Sequence, residues 1–322
     1  MPLPTNLQGR LRLPVIAAPM FIVSTPELVL AQCKAGVIGS FPALNARPAS
    51  QLDEWLSQIT EELANFTAAH PGMKVAPFAV NQIVHASNDR LEHDVALCVK
   101  YRVPIVITSL RPPSEVVAAV HDYGGQVFHD VINLRHAEKA IEQGVDGVIA
   151  VCAGAGGHAG TLSPFALVKE IRKIYPGCIA LSGAMSTGAD VLAAQVLGAD
   201  LAYLGTRFIA SKEANASAAY KKMLVDSSAA DIVYTSSFSG VAGNYLRASI
   251  VHAGLDPDNL KDAVKNKMNF GVDNQTKVWK DIWSAGQSVS GIDSIEPVLA
   301  LVDQMVAEYE TARALLLATQ CG

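Results

Sequence analysis

The feature that most constrains the fold is a series of eight short apolar runs that alternate with longer helix-like segments. Strands that alternate with helices imply βαβ units and a parallel sheet. Eight such units favour a closed (β/α)8 barrel over an open sheet, because eight strands are the number that closes this barrel. The runs occupy residues 15–21, 37–41, 75–81, 104–109, 126–131, 147–151, 179–184 and 201–206.

Glycine and capping residues mark the predicted helix ends. Gly36, Gly124 and Gly144 each follow a helix-like segment and precede an apolar run, which is typical of a helix C-terminus. The stretch Ser24–Glu27 combines a capping-box pair with a proline, so we expect the first helix to begin there.

The pattern changes after the eighth run, where polar residues cluster and no alternation typical of strands stands out. We therefore expect the barrel within residues 1–210 and a helical insertion over residues 211–290, which would form a substrate lid. Residues 291–322 contain a long amphipathic segment, and we expect its helix to complete the barrel. The predicted class is thus an α/β (β/α)8 TIM barrel with a helical insertion after strand 8.

Composition narrows the class of partner. Half of the residues are hydrophobic, only 17% are charged, the net charge is -5, and no Lys/Arg run is present. These values argue against nucleic acid as a partner and favour a small molecule. The start of the chain has no apolar signal region and no 18-residue apolar stretch occurs, so we expect a cytoplasmic protein without a membrane partner. Association into a homo-oligomer is compatible with this composition.

The cysteines give no sign of a metal site. There are five, they are scattered, and none forms a CxxC pair. We therefore expect no metal and no disulfide framework, and we expect the thiols to be reduced.

The stretch VCAGAGGHAG, residues 151–160, surrounds the single imidazole of His158 with glycine and alanine. It follows the sixth predicted strand, and the active site of such a barrel lies at the carboxyl ends of its strands. Glycine lets a ligand approach the backbone closely, so His158 is a candidate catalytic residue. The alternative is a turn that merely contains a histidine.

Two further glycine loops follow the seventh and eighth predicted strands, at Gly183 and at Gly205-Thr206. Loops in these positions frequently hold a phosphate, which backbone N–H groups and a hydroxyl suit. The alternative is that the glycines only form turns.

Together these stretches resemble the nitronate monooxygenase family, formerly called 2-nitropropane dioxygenases. That family belongs with the FMN-binding barrels that also include the FMN-dependent enoyl-acyl-carrier-protein reductases. The motifs that carry the resemblance are APM at 18–20, AGVIGSF at 35–41, AVN at 79–81, residues 129–161 with the AGGH loop, residues 181–208, and SAGQSV at 284–289.

The resemblance implies a non-covalently bound FMN, with His158 in the place of the catalytic histidine. The sequence departs from the family pattern at Asp130 and Val151, where many members have a lysine and a glutamine. An aspartate beside the flavin would need a salt bridge or would hold ribityl hydroxyls. The residues implied in FMN binding are Ala18, Met20 and Asn81 at the ring, Asp130, Gly156 and Gly157 beside it, and Gly183, Ala184, Gly205 and Thr206 at the phosphate.

The implied reaction is the oxidation of an alkyl nitronate, such as propionate-3-nitronate, by O2 to a carbonyl compound and nitrite. The nitronate and O2 would be the partners of the protein. Two other classes stay open on the residues alone: an NAD(P)H-dependent FMN reductase acting on quinones or enoyl thioesters, and a phosphate-binding barrel without flavin. No second glycine-rich turn of the GxGxxG kind is present, which disfavours a dinucleotide site.

Overall fold

The computed structural model describes residues 3–4, 7–238, 240–260 and 282–318. Two sheets are present in these ranges, one of eight parallel strands and one of three antiparallel strands. The strands are β1 Val15–Ala17, β2 Gly39–Pro42, β3 Phe78–Val84, β4 Ile105–Leu110, β5 Gln126–Val131, β6 Gly147–Val151, β7 Gly157–His158, β8 Cys178–Ser182, β9 Leu201–Leu204, β10 Ile232–Thr235 and β11 Gly243–Leu246.

The large sheet closes into a barrel. Its order is β1-β9-β8-β6-β5-β4-β3-β2, and the two end strands meet through a parallel bridge between Ile16 and Ile38. The N–H of Ala17 donates to the carbonyl of Ile38 at 2.7 Å, and the N–H of Ile38 donates to the carbonyl of Val15 at 3.0 Å. All eight predicted strands are therefore confirmed, and so is the (β/α)8 barrel.

Helices surround the barrel. The last of them packs against α7 and α1, which is the position of the eighth helix in a fold of this kind. The helices are α1 Pro26–Lys34, α2 Gln51–Ala69, α3 Leu91–Lys100, α4 Ser114–His121, α5 Leu134–Glu142, α6 Pro164–Ile174, α7 Gly188–Leu197, α8 Thr206–Ile209, α9 Ala218–Asp226, α10 Arg247–His252 and α11 Val298–Ala318. No helix in the described ranges is long and apolar enough to cross a membrane.

The predicted helix C-termini are confirmed, whereas the predicted capping box is wrong. Gly36, Gly124 and Gly144 all have positive φ, between 80° and 89°, and follow the ends of α1, α4 and α5. At the start of α1 the N-cap residue is Thr25, and its side chain makes no capping hydrogen bond. The hydroxyl of Ser24 instead accepts from the N–H of Met20 at 3.0 Å, so it stabilises the preceding loop.

Residues 211–290 are not wholly helical, which corrects the predicted insertion. They contain α9 and α10, but also β10 and β11, which pair antiparallel. On its other edge β11 pairs with β7, so a strand of this segment is joined to the loop after β6. Residues 261–281 lie outside the described residues, and the division at residues 210 and 290 stays a prediction.

Candidate active site

The inner layer of the barrel changes from apolar to polar towards the carboxyl ends of the strands. The inward-facing core contains large apolar side chains such as Ile16, Ile107, Phe128 and Leu201. Because alternate residues of a strand point to the same face, the positions two residues further on also face inwards. These positions are occupied by Ala18, Ser109, Asp130 and Tyr203, and Asn81 stands two residues after the inward-facing Ala79 on β3.

Three of these side chains form a hydrogen-bonded row across adjacent strands. The Nδ2 atom of Asn81 donates to the carbonyl of Ile107 at 3.2 Å and to the hydroxyl of Ser109 at 2.9 Å. The Ser109 hydroxyl donates to Oδ2 of Asp130 at 2.7 Å. Two predicted site residues, Asn81 and Asp130, are thus joined through Ser109 at the carboxyl end of β4.

The other oxygen of Asp130, Oδ1, is buried and has no hydrogen-bond partner among the described residues. Burial raises the pKa of this carboxyl to about 6, although the Ser109 hydroxyl acts in the opposite direction. The pKa of Tyr203 is raised well above its ordinary value, first by burial and then by the charge of Asp130. No salt bridge forms at Asp130 within the described ranges, so the salt-bridged alternative is not supported.

His158 lies on β7, where antiparallel pairing fixes the backbone of its loop. His158 is opposite Gly243, and Gly157 is opposite Asn244. The side chain of Asn244 is buried, and its Nδ2 donates to the carbonyl of Ala155 at 2.7 Å. Asn244 could not be selected from the sequence, because nothing in a polar segment marks one asparagine as a partner of a distant loop.

Burial lowers the pKa of His158 below its ordinary value of 6.5. The charged form is disfavoured because the imidazole is withdrawn from water. The neutral ring therefore dominates at neutral pH, where it offers one nitrogen as an acceptor and the other as a donor.

The glycines of this loop have different structural causes. A Cβ on Gly157 would meet nothing within 4 Å, so this residue borders open space, and its φ of +69° favours glycine. A Cβ on Gly156 would instead lie 3.0 Å from the N atom of Gly286 and 3.1 Å from Oγ1 of Thr206. The small size of Gly156 is thus explained by close packing of protein segments, whereas Gly157 retains the room that a ligand would need.

The SAGQ segment, residues 284–287, is the partner against which the His158 loop packs. The N–H of Gln287 donates to the carbonyl of Gly154 at 2.9 Å, and the N–H of Gly286 donates to the Thr206 hydroxyl at 2.9 Å. A Cβ on Gly286 would lie 2.5 Å from the Gly154 oxygen. The motif was visible in the sequence, but its role becomes clear only from these contacts.

The proposed phosphate loops adjoin the same region. Gly183 has φ +144° and Ala184 has φ +54°, which is unusual for a residue with a side chain. A Cβ on Gly205 would be in ordinary contact with Ala18 and Met20, at 3.5 Å and 3.7 Å. The loops after β1, β6 and β9 therefore meet at one end of the barrel, as the predicted site requires.

The start of α7 is already occupied by protein carboxylates. Asp190 accepts from the N–H groups of Ser186 and Thr187, both at 2.9 Å, and Glu308 accepts from the N–H of Gly188 at 2.7 Å. A phosphate at this end of the barrel would therefore have to bind to the loops themselves.

His129, next to Asp130, has a structural role. It is buried on the outer side of the sheet, and its Nδ1 lies 2.8 Å from the Thr108 hydroxyl. Burial lowers its pKa to about 4, so it is neutral at neutral pH. Neighbouring residues of β5 thus point to opposite faces, and only Asp130 belongs to the candidate site.

Known proteins of similar sequence and structure agree with this architecture. A nitronate monooxygenase of Paraburkholderia phytofirmans is 28% identical over 284 residues, which cover 78% of each chain. A (3aS,4S,5R,7aS)-5-hydroxy-7a-methyl-1-oxo-octahydro-1H-indene-4-carboxyl-CoA dehydrogenase of Mycobacterium tuberculosis is 26% identical, over 80% of this chain and 70% of the relative.

Two solved structures share the fold. FabK from Thermotoga maritima superposes with a TM-score of 0.76 at 23% identity, over 98% of this chain and 99% of its own. A nitroalkane oxidase from Streptomyces ansochromogenes gives a TM-score of 0.76 at 23% identity, over 97% of this chain and all of its own (100%). The nitronate monooxygenase family model matches residues 7–308. That match covers nearly the whole described barrel, and the chain therefore belongs to the nitronate monooxygenase family of oxidoreductases.

Proposed function

We propose that this protein binds FMN and oxidises alkyl nitronates, such as propionate-3-nitronate, with O2 to a carbonyl compound and nitrite. The observation that carries the proposal is the family match over residues 7–308, in a chain that places His158 on β7 beside the open space at Gly157.

The residues at the carboxyl end of the barrel are compatible with a bound FMN. Space at Gly157 and Gly205 would admit a planar ring and a phosphate, since a Cβ at either glycine would meet little or only ordinary contacts. The unpartnered Oδ1 of Asp130 offers a hydrogen-bond acceptor of the kind that a flavin N–H or hydroxyl group needs. The residues that would hold FMN are Ala18, Met20, Asn81, Asp130, Gly156, Gly157, Gly183, Ala184, Gly205 and Thr206.

Bound FMN would supply the redox chemistry, taking electrons from the nitronate and passing them to oxygen. The chain would supply binding, orientation and proton handling. A neutral His158 can donate its N–H to a nitronate oxygen, and its other nitrogen can accept a proton from the carbon of a nitroalkane. Positioned groups of this kind contribute about 10²- to 10⁴-fold to a reaction rate.

A reductase that acts on thioesters is the second candidate. The observation that favours it is the relative from Mycobacterium tuberculosis, whose name describes a dehydrogenase of a carboxyl-CoA compound. The sequence offers no glycine-rich turn for a dinucleotide. A carboxylate at Asp130 would also repel a pyrophosphate.

Two measurements separate the candidates. The purified protein should be yellow, with absorbance at about 450 nm, and should consume oxygen with propionate-3-nitronate in the absence of NAD(P)H. In anaerobic stopped-flow mixing, NADH and NADPH should bleach the flavin slowly or not at all. Bleaching at about ten per second or faster with either nucleotide, a typical enzyme turnover, would replace this proposal with the reductase. A colourless protein would exclude both candidates.

A further inference from the structure

The orientation of each group in the row Asn81–Ser109–Asp130 follows from its hydrogen bonds. The Asn81 amide must present Nδ2 to the carbonyl of Ile107, because its oxygen would be repelled there. The same Nδ2 donates to Ser109, so the single proton of the Ser109 hydroxyl is left to donate to Oδ2 of Asp130. Oδ2 is therefore an acceptor, and any proton that the carboxyl carries must be on Oδ1.

Oδ1 of Asp130 lacks a compensating group in the part of the chain that the structure describes. It is buried and has no hydrogen-bond partner among the described residues. Burial and the Ser109 hydroxyl account for the displaced pKa of this carboxyl, with no contribution from a basic side chain in the described ranges. Among the described residues, Tyr203 is a titratable group whose pKa is raised by the charge of Asp130. A buried polar atom without a partner is costly, so this atom calls for a ligand with a donor.

On the basis of the proposed FMN site, we propose that Oδ1 of Asp130 accepts a hydrogen bond from an N–H or O–H group of the flavin, so that flavin binding is coupled to the protonation of Asp130. A flavin has such donors at its ring N–H and at its ribityl hydroxyls, whereas its phosphate oxygens would be repelled. Asp130 is then a positioning residue, and Ser109 keeps its acceptor atom directed to the ligand.

The sign of the coupling follows from the linkage between binding and protonation. A hydrogen-bond donor of the flavin binds more strongly to the carboxylate form of Asp130 than to its protonated form. Flavin binding therefore lowers the pKa of Asp130 from its value of about 6. Flavin affinity must then increase as the pH rises from below to above this value. Each unit by which binding lowers the pKa corresponds to about a tenfold gain in affinity across that range.

The test is the dissociation constant of the flavin from pH 5 to pH 8, measured by fluorescence on the full-length protein reconstituted with FMN, riboflavin or lumiflavin. Riboflavin is required because the phosphate of FMN itself titrates at about pH 6. Lumiflavin lacks the ribityl chain, so it separates the two sources of the donor. We expect affinity to rise with pH for riboflavin. A rise with lumiflavin as well identifies the ring N–H, and a rise that lumiflavin lacks identifies a ribityl hydroxyl.

Variants separate Asp130 from other titrating groups. Asp130→Asn keeps an acceptor oxygen but cannot titrate, so its riboflavin affinity should not depend on pH. Ser109→Ala removes a hydrogen bond that lowers the pKa of Asp130, so the midpoint of the profile should move to higher pH. The exposed-site control Asp303→Asn should keep the wild-type profile.

Three results would overturn the proposal. They are a riboflavin affinity that is independent of pH in the wild type, an affinity that falls as pH rises, and a pH dependence that persists in Asp130→Asn. Each of these leaves FMN bound and the proposed function intact. A protein that binds none of the three flavins would refute the proposed function together with this proposal.

Discussion

Gly286 is the position where one added methyl group should reveal how the His158 loop is held. A Cβ there would lie 2.5 Å from the oxygen of Gly154, 2.8 Å from the N atom of Gly156 and 3.2 Å from the carbonyl carbon of Ala155. All three are backbone atoms, so no side chain can rotate away. The loop must therefore move by roughly 0.9 Å, the difference between an ordinary contact of about 3.4 Å and the 2.5 Å found here.

Gly286→Ala should therefore damage both catalysis and stability. Overpacking of this kind costs about 1–3 kcal/mol of unfolding free energy, whereas a displacement of about 1 Å in a catalytic group costs about 10²-fold in rate. The assays are kcat/KM with propionate-3-nitronate and urea unfolding. Gly254→Ala is the matched control, since it has φ +79° and no atom within 4 Å of the new Cβ. The strain of an alanine at this positive φ should lower the free energy of unfolding by about 1–2 kcal/mol without affecting the site. Equal activity in the two variants would refute the idea that residues 284–287 position His158.

Two further substitutions test the catalytic and the phosphate assignments. His158→Asn should retain FMN and lose about 10²- to 10⁴-fold in turnover. In the wild-type protein, burial of His158 lowers its pKa, so the acid limb of the kcat profile should lie below pH 6.5. Near-normal turnover of the variant, or an acid limb above that pH, would assign the imidazole to structure. Gly205→Ala should fold normally, because φ at Gly205 is −105° and the new Cβ would make only ordinary contacts. The variant should bind FMN about 10- to 100-fold more weakly, because one charged hydrogen bond to the phosphate would be lost. Unchanged affinity by ultrafiltration would place the phosphate elsewhere. Gly183 is less suitable for this test, since its φ of +144° and a Cβ 2.8 Å from the Ala153 oxygen would disturb the backbone in any case.

The barrel could be predicted because its signal is local and repeated. Parallel strands covered on both faces are continuous apolar runs, and each of the eight runs overlaps a strand of the barrel. The helix ends at glycines such as Gly36 and Gly144 could also be predicted, because a positive φ at a helix end is a requirement of the backbone itself.

The small sheet could not be predicted, because its strands depend on a distant partner. β11 is only four residues long and includes Gly243 and Asn244, which are poor strand formers. It is stabilised by pairing with β10 on one edge and with β7 on the other. A two-residue strand such as β7 has no signal of its own in the sequence, so the sequence of the polar segment predicts helices in place of this small sheet.

The glycines around His158 illustrate a second limit of sequence reasoning. A glycine that admits a ligand and a glycine that admits another backbone are the same residue type in the sequence. Gly157 borders open space, whereas Gly156 packs against Gly286 and Thr206. The contacts of the folded chain distinguish the two cases. Close packing against residues 284–287, and not a ligand, explains why position 156 is a glycine.

Burial displaces the pKa values of Asp130 and His158 in opposite directions, and the consequence is a pH-dependent charge at the barrel mouth. The pKa of Asp130 rises to about 6 and that of His158 falls below 6.5, so both shifts favour the neutral forms. Above about pH 6 the carboxylate is the charged form of Asp130 in the protein without flavin, and bound flavin should lower this pKa further. A nitronate is an anion, so in the flavin-loaded enzyme its KM should increase as the pH rises through the lowered pKa of Asp130. At an effective dielectric constant of about 20, the repulsion between two such charges is about 4 kcal/mol at about 4 Å and falls in inverse proportion to their distance. Asp130→Asn should remove the increase and leave the acid limb of kcat, which belongs to His158. If the variant and the wild type show the same dependence of KM on pH over the range in which Asp130 titrates in the flavin-loaded enzyme, the charge of Asp130 does not reach the substrate and the nitronate binds outside this polar layer.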